Sequence, residues 1–226
     1  CLSWSSGKDA AMALHHLQGD PAVDVQRLLT TITGHRNRVT MHGLRRELLE
    51  RQVAQLDVPL TVVNMPEQPT MEAYEAATGN AMNKLGEEGF THVAYGDIFL
   101  EDLRAYREKQ VTALGFSALF PLWKRDTQEL IREFIDLGFR AVIIGLQADK
   151  LDRSLLGREV DATLLRDLPN GVDPCGEKGE FHTFCFDGPI FRNAVPFQPG
   201  EAVFREYPAP GKASGTALGC WFLDLL

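Results

Sequence analysis

The sequence predicts an α/β fold: a mostly parallel sheet with helices on both faces, followed by a small β-rich C-terminal lobe. Three observations carry this. Short continuous apolar runs, rich in β-branched residues, recur through the first 150 residues, as strands buried on both faces require. Amphipathic stretches of helical period alternate with them, which implies parallel strands joined by crossover helices. Near Pro169 the composition changes; Pro and Gly become frequent and the helical period fades.

The chain opens on an apolar strand at Leu2 that runs into a small-residue turn. Residues 28–33, 60–63, 92–95, 118–120 and 141–144 read as further strands of the same series. Between them, Ala10, Ala13, Leu14 and Leu17 fall at i, i+3, i+4 and i+7, and Gly19 supplies a stop. Leu44, Leu48, Leu49 and Val53 mark a second helix, and Tyr74, Ala77, Ala81 and Leu85 a third. A fourth runs from about Asp102 to Leu114. The fifth begins at Asp126-Thr127-Gln128-Glu129, a capping box with Asp126 as N-cap, and ends at Leu137-Gly138. Beyond Pro169, Phe181-His182-Thr183-Phe184-Cys185-Phe186 alternates like a strand. Asp187-Gly188-Pro189 is a turn, and Ile190-Phe191 is expected to start a return strand. Residues 202–205 and 220–223 are further strand candidates. The expected division is an α/β domain over residues 1–160 and a lobe over 161–226, with the boundary between about 150 and 170.

A chain of 226 residues suits one large domain, or a domain with a small lobe. Apolar residues at 44% and charged residues at 24% exclude disordered and collagen-like classes. No run reaches the roughly 18 apolar residues of a membrane helix, so no membrane partner is expected. No secretory leader is read, although the chain opens at Cys1, which leaves a trimmed start open. Lys and Arg number 23 against 31 Asp and Glu, a net charge of −8 that weighs against a broad nucleic-acid face. Four cysteines are too few for a disulfide scaffold, so reduced thiols and a cytoplasmic location are expected.

The segment Ser3-Trp4-Ser5-Ser6-Gly7-Lys8-Asp9-Ala10 carries the first chemistry. A strand-to-helix turn of small residues points several N–H groups at one spot, and the helix N-terminus adds its positive dipole end. Lys8 adds a full charge, and Ser5 and Ser6 offer hydroxyls, so the turn suits a phosphate. It is not the G-x-x-x-x-G-K-[ST] loop, since the first Gly is missing and Asp9 follows the Lys. The alternative is a polar turn with Asp9 capping the helix.

Gly96-Asp97 ends a predicted strand, at the sheet edge where ligands gather. Asp97 is a candidate for Mg²⁺ or for orienting an amine; the alternative is an N-cap for the next helix. Arg104 and Arg107 share a helix face and suit a phosphate or carboxylate, or else a solvated face paired with Glu101 and Glu108. From Asp173 to Thr183 the acids Glu177 and Glu180, with His182, are interleaved with Gly176 and Gly179, so a tight turn can bring the carboxylates together. Cys175, His182 and Cys185 lack the paired spacing and fourth ligand of a zinc site. Cys185 reads as packing, and Cys175 as a nucleophile candidate without an identifiable base. Residues 34–42 form a basic run that suits a phosphate, or a plain surface loop in which His35 and His42 are ordinary surface histidines.

Ser5-Ser6-Gly7-Lys8-Asp9-Ala10 resembles the S-G-G-K-D-S loop of the PP-loop ATP pyrophosphatases. Tyr95-Gly96-Asp97-Ile98, Phe120-Pro121-Leu122-Trp123 and Gly176-Glu177-Lys178-Gly179-Glu180-Phe181-His182-Thr183 extend the likeness, in order, to one branch of them, the diphthine–ammonia ligase family. There are departures. Ser6 replaces a Gly, Phe181-His182 replaces Tyr-Glu, and Ala10 replaces a Ser whose lost hydrogen bond is worth about 1 kcal/mol.

The resemblance implies a HUP-type, adenine nucleotide α-hydrolase-like domain that binds ATP and Mg²⁺. It would adenylate a carboxylate with release of pyrophosphate, and ammonia would then displace AMP to form an amide. It implies nucleotide binding by Ser3, Trp4, Ser5, Ser6, Gly7, Lys8, Asp9, Ala10, Thr33, Gly96 and Asp97. Catalysis would fall to Lys8, Asp97, Glu177 and Glu180, and metal binding to Asp9 and Asp97. The acceptor would meet Arg104, Arg107, Glu177, Glu180, His182 and Thr183. The acceptor itself, a small molecule or a protein, stays open, as does a homodimer. The alternatives are a PP-loop enzyme that modifies tRNA or handles sulfur, and a non-catalytic ATP-binding regulator.

Overall fold

The computed structural model describes residues 1–34, 37–40, 42–66, 70–208 and 217–226. In chain order the elements are β1 (Leu2–Ser3), α1 (Lys8–Gly19), β2 (Leu28–Thr33), β3 (Arg38–Val39), α2 (Arg46–Val53) and β4 (Leu60–Met65). Then come α3 (Met71–Glu87), β5 (His92–Ala94), α4 (Glu101–Ala113), β6 (Ser117–Leu119), α5 (Thr127–Asp136) and β7 (Arg140–Gln147). A 3-10 turn, Arg153–Leu155, leads to α6 (Ala162–Asp167), β8 (Phe181–Asp187), β9 (Pro199–Pro208) and β10 (Ala217–Leu225).

The apolar runs form the parallel sheet the sequence predicts, in the order β4-β2-β1-β5-β6, with β3 added antiparallel at Ile32 and Thr33. One face packs against α3 and α4 through Met82, Leu85 and Val111. The other face carries the main core, where the alanines of α1 (Ala10, Ala11 and Ala13) are all buried and let the helix lie close to its neighbours. The expected N-cap of α5 is present: Asp126 accepts from Glu129 N–H at 3.0 Å.

Two expectations fail. The run 141–144 is a strand buried on both faces, as read, but it does not extend the parallel sheet. It is the middle of β7, in an antiparallel sheet of order β8-β7-β10-β9. Burial on both faces makes an apolar run whatever its neighbours' direction, so the sequence carried no sign of the pairing. Ile190-Phe191 starts no strand; a turn closed by Phe191 N–H to Gly188 O is followed by Val195 N–H donating to Phe186 O. Both residues pack on the core as irregular chain.

The C-terminal sheet is continuous with the first unit. Its strand β8 lies against α1, and Phe181, Phe184 and Cys185 belong to the same buried cluster as Leu2, Leu14 and Leu48. Arg38 of the basic run and Arg45, which follows it, both bind the Asp224 carboxylate of β10, at 2.7 and 2.5 Å. These bonds hold Asp224 down at about 2, against the effect of its burial. His35, Arg36 and Met41 lie outside the described residues.

Candidate active site at the switch point of the sheet

From β1 the chain steps outward to β2 and β4, then returns to the other side of β1 for β5 and β6. The strand order reverses between β1 and β5, and crevices for ligands open at that point, beyond the carboxyl ends of the strands. Ser5-Ser6-Gly7 leaves the end of β1, and Tyr95-Gly96-Asp97 leaves the end of β5. The two segments touch: a Cβ on Gly96 would lie 3.0 Å from the Asp9 carbonyl oxygen. Gly96 is thus a matter of close approach.

The loop after β1 is held from beneath by a residue the sequence reading missed. Gln52 of α2 is fully buried. Its Oε1 accepts from Trp4 Nε1 at 2.9 Å, and its Nε2 donates to Ser6 O at 3.0 Å and to Cys185 O at 2.6 Å. Cys185 N–H donates to the same Ser6 oxygen at 2.9 Å. A signal was available, because Gln52 falls one turn after Leu48 and Leu49 on the apolar face of its helix. Trp4 is thereby a core residue, 2% exposed.

Ser6 sits at φ +70°, the left-handed region, where the related loop has Gly. It is fully buried and its Oγ has no partner among the described residues. Gly7 N–H makes only a 3.4 Å contact with Ser5 Oγ, and Lys8 N–H donates to Thr183 Oγ1 at 3.1 Å. The amides of Ser5, Ser6, Asp9 and Ala10 find no acceptor among the described residues. The strain and the orphan hydroxyl give a first prediction. Ser6→Gly is expected to raise stability by about 1 kcal/mol after the entropy cost of Gly, or roughly 2–4 °C in Tm, read by thermal melting.

Lys8 points into the molecule. Its ammonium, 3% exposed, binds both oxygens of Asp9 at 2.8 and 2.9 Å and the Cys175 carbonyl, and lies over the Phe181 ring. Burial is the largest influence and opposes its charge, but Asp9, Cys175 and Glu177 together outweigh it and raise its pKa. The segment 173–180 closes over this group. Asp173 Oδ1 accepts from Cys175 and Glu177 N–H, and its Oδ2 accepts from Thr127 Oγ1 at 2.8 Å. The Glu180 carboxylate, 3% exposed, turns back into its own loop, accepting from Asp173 N–H at 3.2 Å and Lys178 N–H at 3.0 Å. Glu177 reaches across to the loop after β5, where its Oε1 accepts from Ile98 N–H at 2.7 Å.

Burial, reinforced by the Asp9 charge, pushes Glu177 up from 4.5 to about 7 against the pull of the Ile98 bond and Lys8. A carboxyl raised on folding contributes its stability below its unfolded value, and that contribution is lost as pH rises through about 7. Glu177→Gln keeps an oxygen for Ile98 and carries no charge. It is expected to melt above the parent at pH 8 and to lose the difference at pH 5, in paired melts at the two pH values.

Asp97 does not cap α4, whose N-cap is Leu100. Instead Asp97 pairs with Arg107 at 2.6 Å. Its pKa is raised, chiefly by burial and also by the Asp9 charge, against the pull of Arg107. Arg104 bonds Glu108 through Nε at 2.7 Å. Thr33, at the end of β2, shares a 2.9 Å hydroxyl bond with Thr40, and Ser3 ends β1 within the sheet. His182 packs against His42, ring centroids 4.7 Å apart, so His42 is not the plain surface histidine expected. Both imidazoles are held neutral mainly by burial, His182 down to about 4.

The structure therefore gathers Ser5 to Asp9, Gly96, Asp97, Glu177 and Thr183, and places Arg104, Arg107 and His182 around them. Among the described residues no three of His, Cys, Asp and Glu cluster as a metal site, and all four cysteines are free thiols. Burial pushes Cys175 and Cys185 above the usual thiol range, which suits packing and not a nucleophile. A cavity of about 580 Å³ lies elsewhere, beside Cys1, Asp20, Gln26 and Phe90.

At the switch point of this α/β protein's parallel sheet stand a small-residue loop, a buried Lys and a helix N-terminus, an arrangement suited to a phosphate. Comparison with known sequences narrows this. Residues 126–207 match the family described as diphthamide synthase C-terminal domain. The chain is 32% identical over 128 residues to diphthine–ammonia ligase of Rattus norvegicus, covering 54% of this chain and 48% of that one. It is 29% identical over 153 residues to that of Homo sapiens, covering 62% and 57%. With that of Danio rerio it shares 34% over 121 residues, covering 50% and 46%. The chain spans about half the length of the relatives it matches. Over these parts of its length the chain is similar to diphthine–ammonia ligases.

Proposed function

We propose that this chain binds ATP over the loop after β1 and uses it to amidate a carboxylate with ammonia, the acceptor being diphthine, as the relatives' name states for them. An oxygen of the acceptor carboxylate attacks the α-phosphorus, the bond to the β-phosphate oxygen breaks, and pyrophosphate leaves. Ammonia then attacks the acyl carbon, AMP leaves, and one proton is released. The observation that carries this reading is the set of amides at Ser5, Ser6, Asp9 and Ala10 and the Ser6 hydroxyl, none of which has a partner among the described residues, with the Lys8 ammonium at the switch point. Such preorganised donors stabilise the charge that develops on a leaving pyrophosphate. To reach phosphate, Lys8 exchanges the Cys175 carbonyl for a phosphate oxygen. Glu177, titrating near neutrality, is the group placed to take the released proton.

The donor set also fits Mg²⁺. Asp97 senses the charge of Asp9, and Mg²⁺ is held by one or two carboxylates with phosphate oxygens and water completing the shell. Bound there, it would neutralise pyrophosphate charge. Glu180 shapes the loop that carries Glu177 and does not face the acceptor. The division at residue 160 is proposed to separate nucleotide and acceptor binding, with β7, which precedes it, lending a strand to the sheet of the acceptor lobe. A cytoplasmic setting suits four free thiols, and no helix among the described residues is long and apolar enough to cross a membrane.

The test is incubation with α-labelled ATP, Mg²⁺, ammonium and a purified diphthine-bearing protein. AMP formation that depends on the acceptor supports the reading, and ADP as the product refutes it.

A further inference from the structure

Along the carboxyl edge of β5 and β6, cations and aromatic rings alternate. The Arg107 guanidinium lies 4.2 Å over the Tyr95 ring, and Tyr95 stacks on Phe120 with centroids 5.6 Å apart. The Arg104 guanidinium then lies 4.8 Å from the Phe120 centroid and 4.6 Å from that of Trp123. The two arginines are not equivalent. Arg107 is committed to Asp97, with Nη2 donating to Oδ1 at 3.2 Å and Nε in ion-pair contact with Oδ2 at 2.6 Å without a hydrogen bond. Arg104 uses Nε alone, toward Glu108, and among the described residues its two terminal nitrogens bind nothing. Its side chain is 32% exposed and its plane is fixed by two rings. A guanidinium held in this way has lost its rotamer freedom in advance and offers two parallel donors, the geometry that a carboxylate matches. The turn that supplies Phe120 and Trp123 is tied to the site, because Lys124 N–H donates to Ile98 O, next to the amide that holds Glu177.

We propose that Arg104 binds the acceptor carboxylate and brings it to the crevice, with Phe120 and Trp123 as its positioning residues. The proposal rests on the amidation reading for the identity of the acceptor. It assigns to Arg104 alone the role that spacing gave equally to Arg104 and Arg107. Arg107 keeps Asp97 in place.

The experiment measures the KM for a diphthine-bearing protein and the KM for ATP separately. Arg104→Gln is expected to raise the acceptor KM about 10-fold or more and leave the ATP KM within about 2-fold. Arg104→Lys keeps the charge without the flat fork and is expected to fall short of the parent by at least about 5-fold. Arg104→Ala leaves a slot between Phe120 and Trp123, and added guanidinium ion is expected to restore acceptor binding in it, a rescue that a purely structural role would not give. Equal shifts in both KM values, an unchanged acceptor KM, or a fully active Arg104→Lys protein would each overturn the proposal. If the parent forms no AMP at all, the amidation reading falls on its own. Direct titration of the diphthine-bearing protein against parent and Arg104→Gln then still decides the assignment: weaker binding by the variant supports it and equal binding refutes it.

Discussion

Replacing Lys8 with Met is expected to lower the rate of AMP formation by about 10²–10³-fold, the range seen when a preorganised donor is removed from a developing anion. The fold should survive. Met fills much of the same space beside the Phe181 ring and Cys175. The carboxylate it abandons, Asp9, keeps a side chain that is 33% exposed, so water replaces the lost partner. That separates this pair from a fully buried one, whose breakage costs several kcal/mol. Circular dichroism and melting check the fold, and α-labelled ATP reads the chemistry. A Lys8→Met protein that forms AMP within about 3-fold of the parent would remove the loop from the phosphate site. The ATP affinity should fall less than the rate, since the ground-state triphosphate still has the amides of Ser5, Ser6, Asp9 and Ala10, which find no acceptor among the described residues.

The parts legible in the sequence are those set by local pattern. Residues 28–33 announce β2 through a continuous apolar and β-branched run, and Asp126 announces α5 through its cap, because each signal lies within a few residues. The strand-to-helix turn at Ser5-Ser6-Gly7 is legible for the same reason. What stayed hidden depends on residues far apart in the chain. β7 pairs with strands that arrive some 35 and 75 residues later, and nothing in residues 140–147 records their direction. His42 meets His182, Asp224 meets Arg38 and Arg45, and Glu177 meets Ile98, all across the tertiary fold. The roles of Glu177 and Glu180 were alike in the sequence. Folding parts them: one carboxylate crosses to the loop after β5, and the other closes its own loop.

Gln52→Leu is expected to cost about 3 kcal/mol and lower Tm by roughly 6–12 °C, the largest stability loss foreseen for a single polar side chain here. Leu fills the volume but leaves the Trp4 indole N–H without an acceptor and removes a donor from the Ser6 and Cys185 carbonyls. Each of these groups is buried, so water cannot compensate. The carbonyl of Ser6 retains Cys185 N–H, which is why the cost is not larger. Gln52→Glu separates the two halves of the role. The carboxylate still accepts from Trp4 but repels both carbonyls. Its burial raises its pKa, so the folded state holds the proton and the variant should be nearer the parent at pH 5 than at pH 8. Melts at the two pH values, beside ATP titrations, check both points. The same carbonyl fixes the plane of the peptide whose N–H belongs to Gly7, so losing the clamp should loosen the loop as well as the fold. Both variants should therefore bind ATP less tightly at temperatures well below their melting points. A Gln52→Leu protein that melts early yet binds ATP like the parent would make Gln52 a core residue and nothing more.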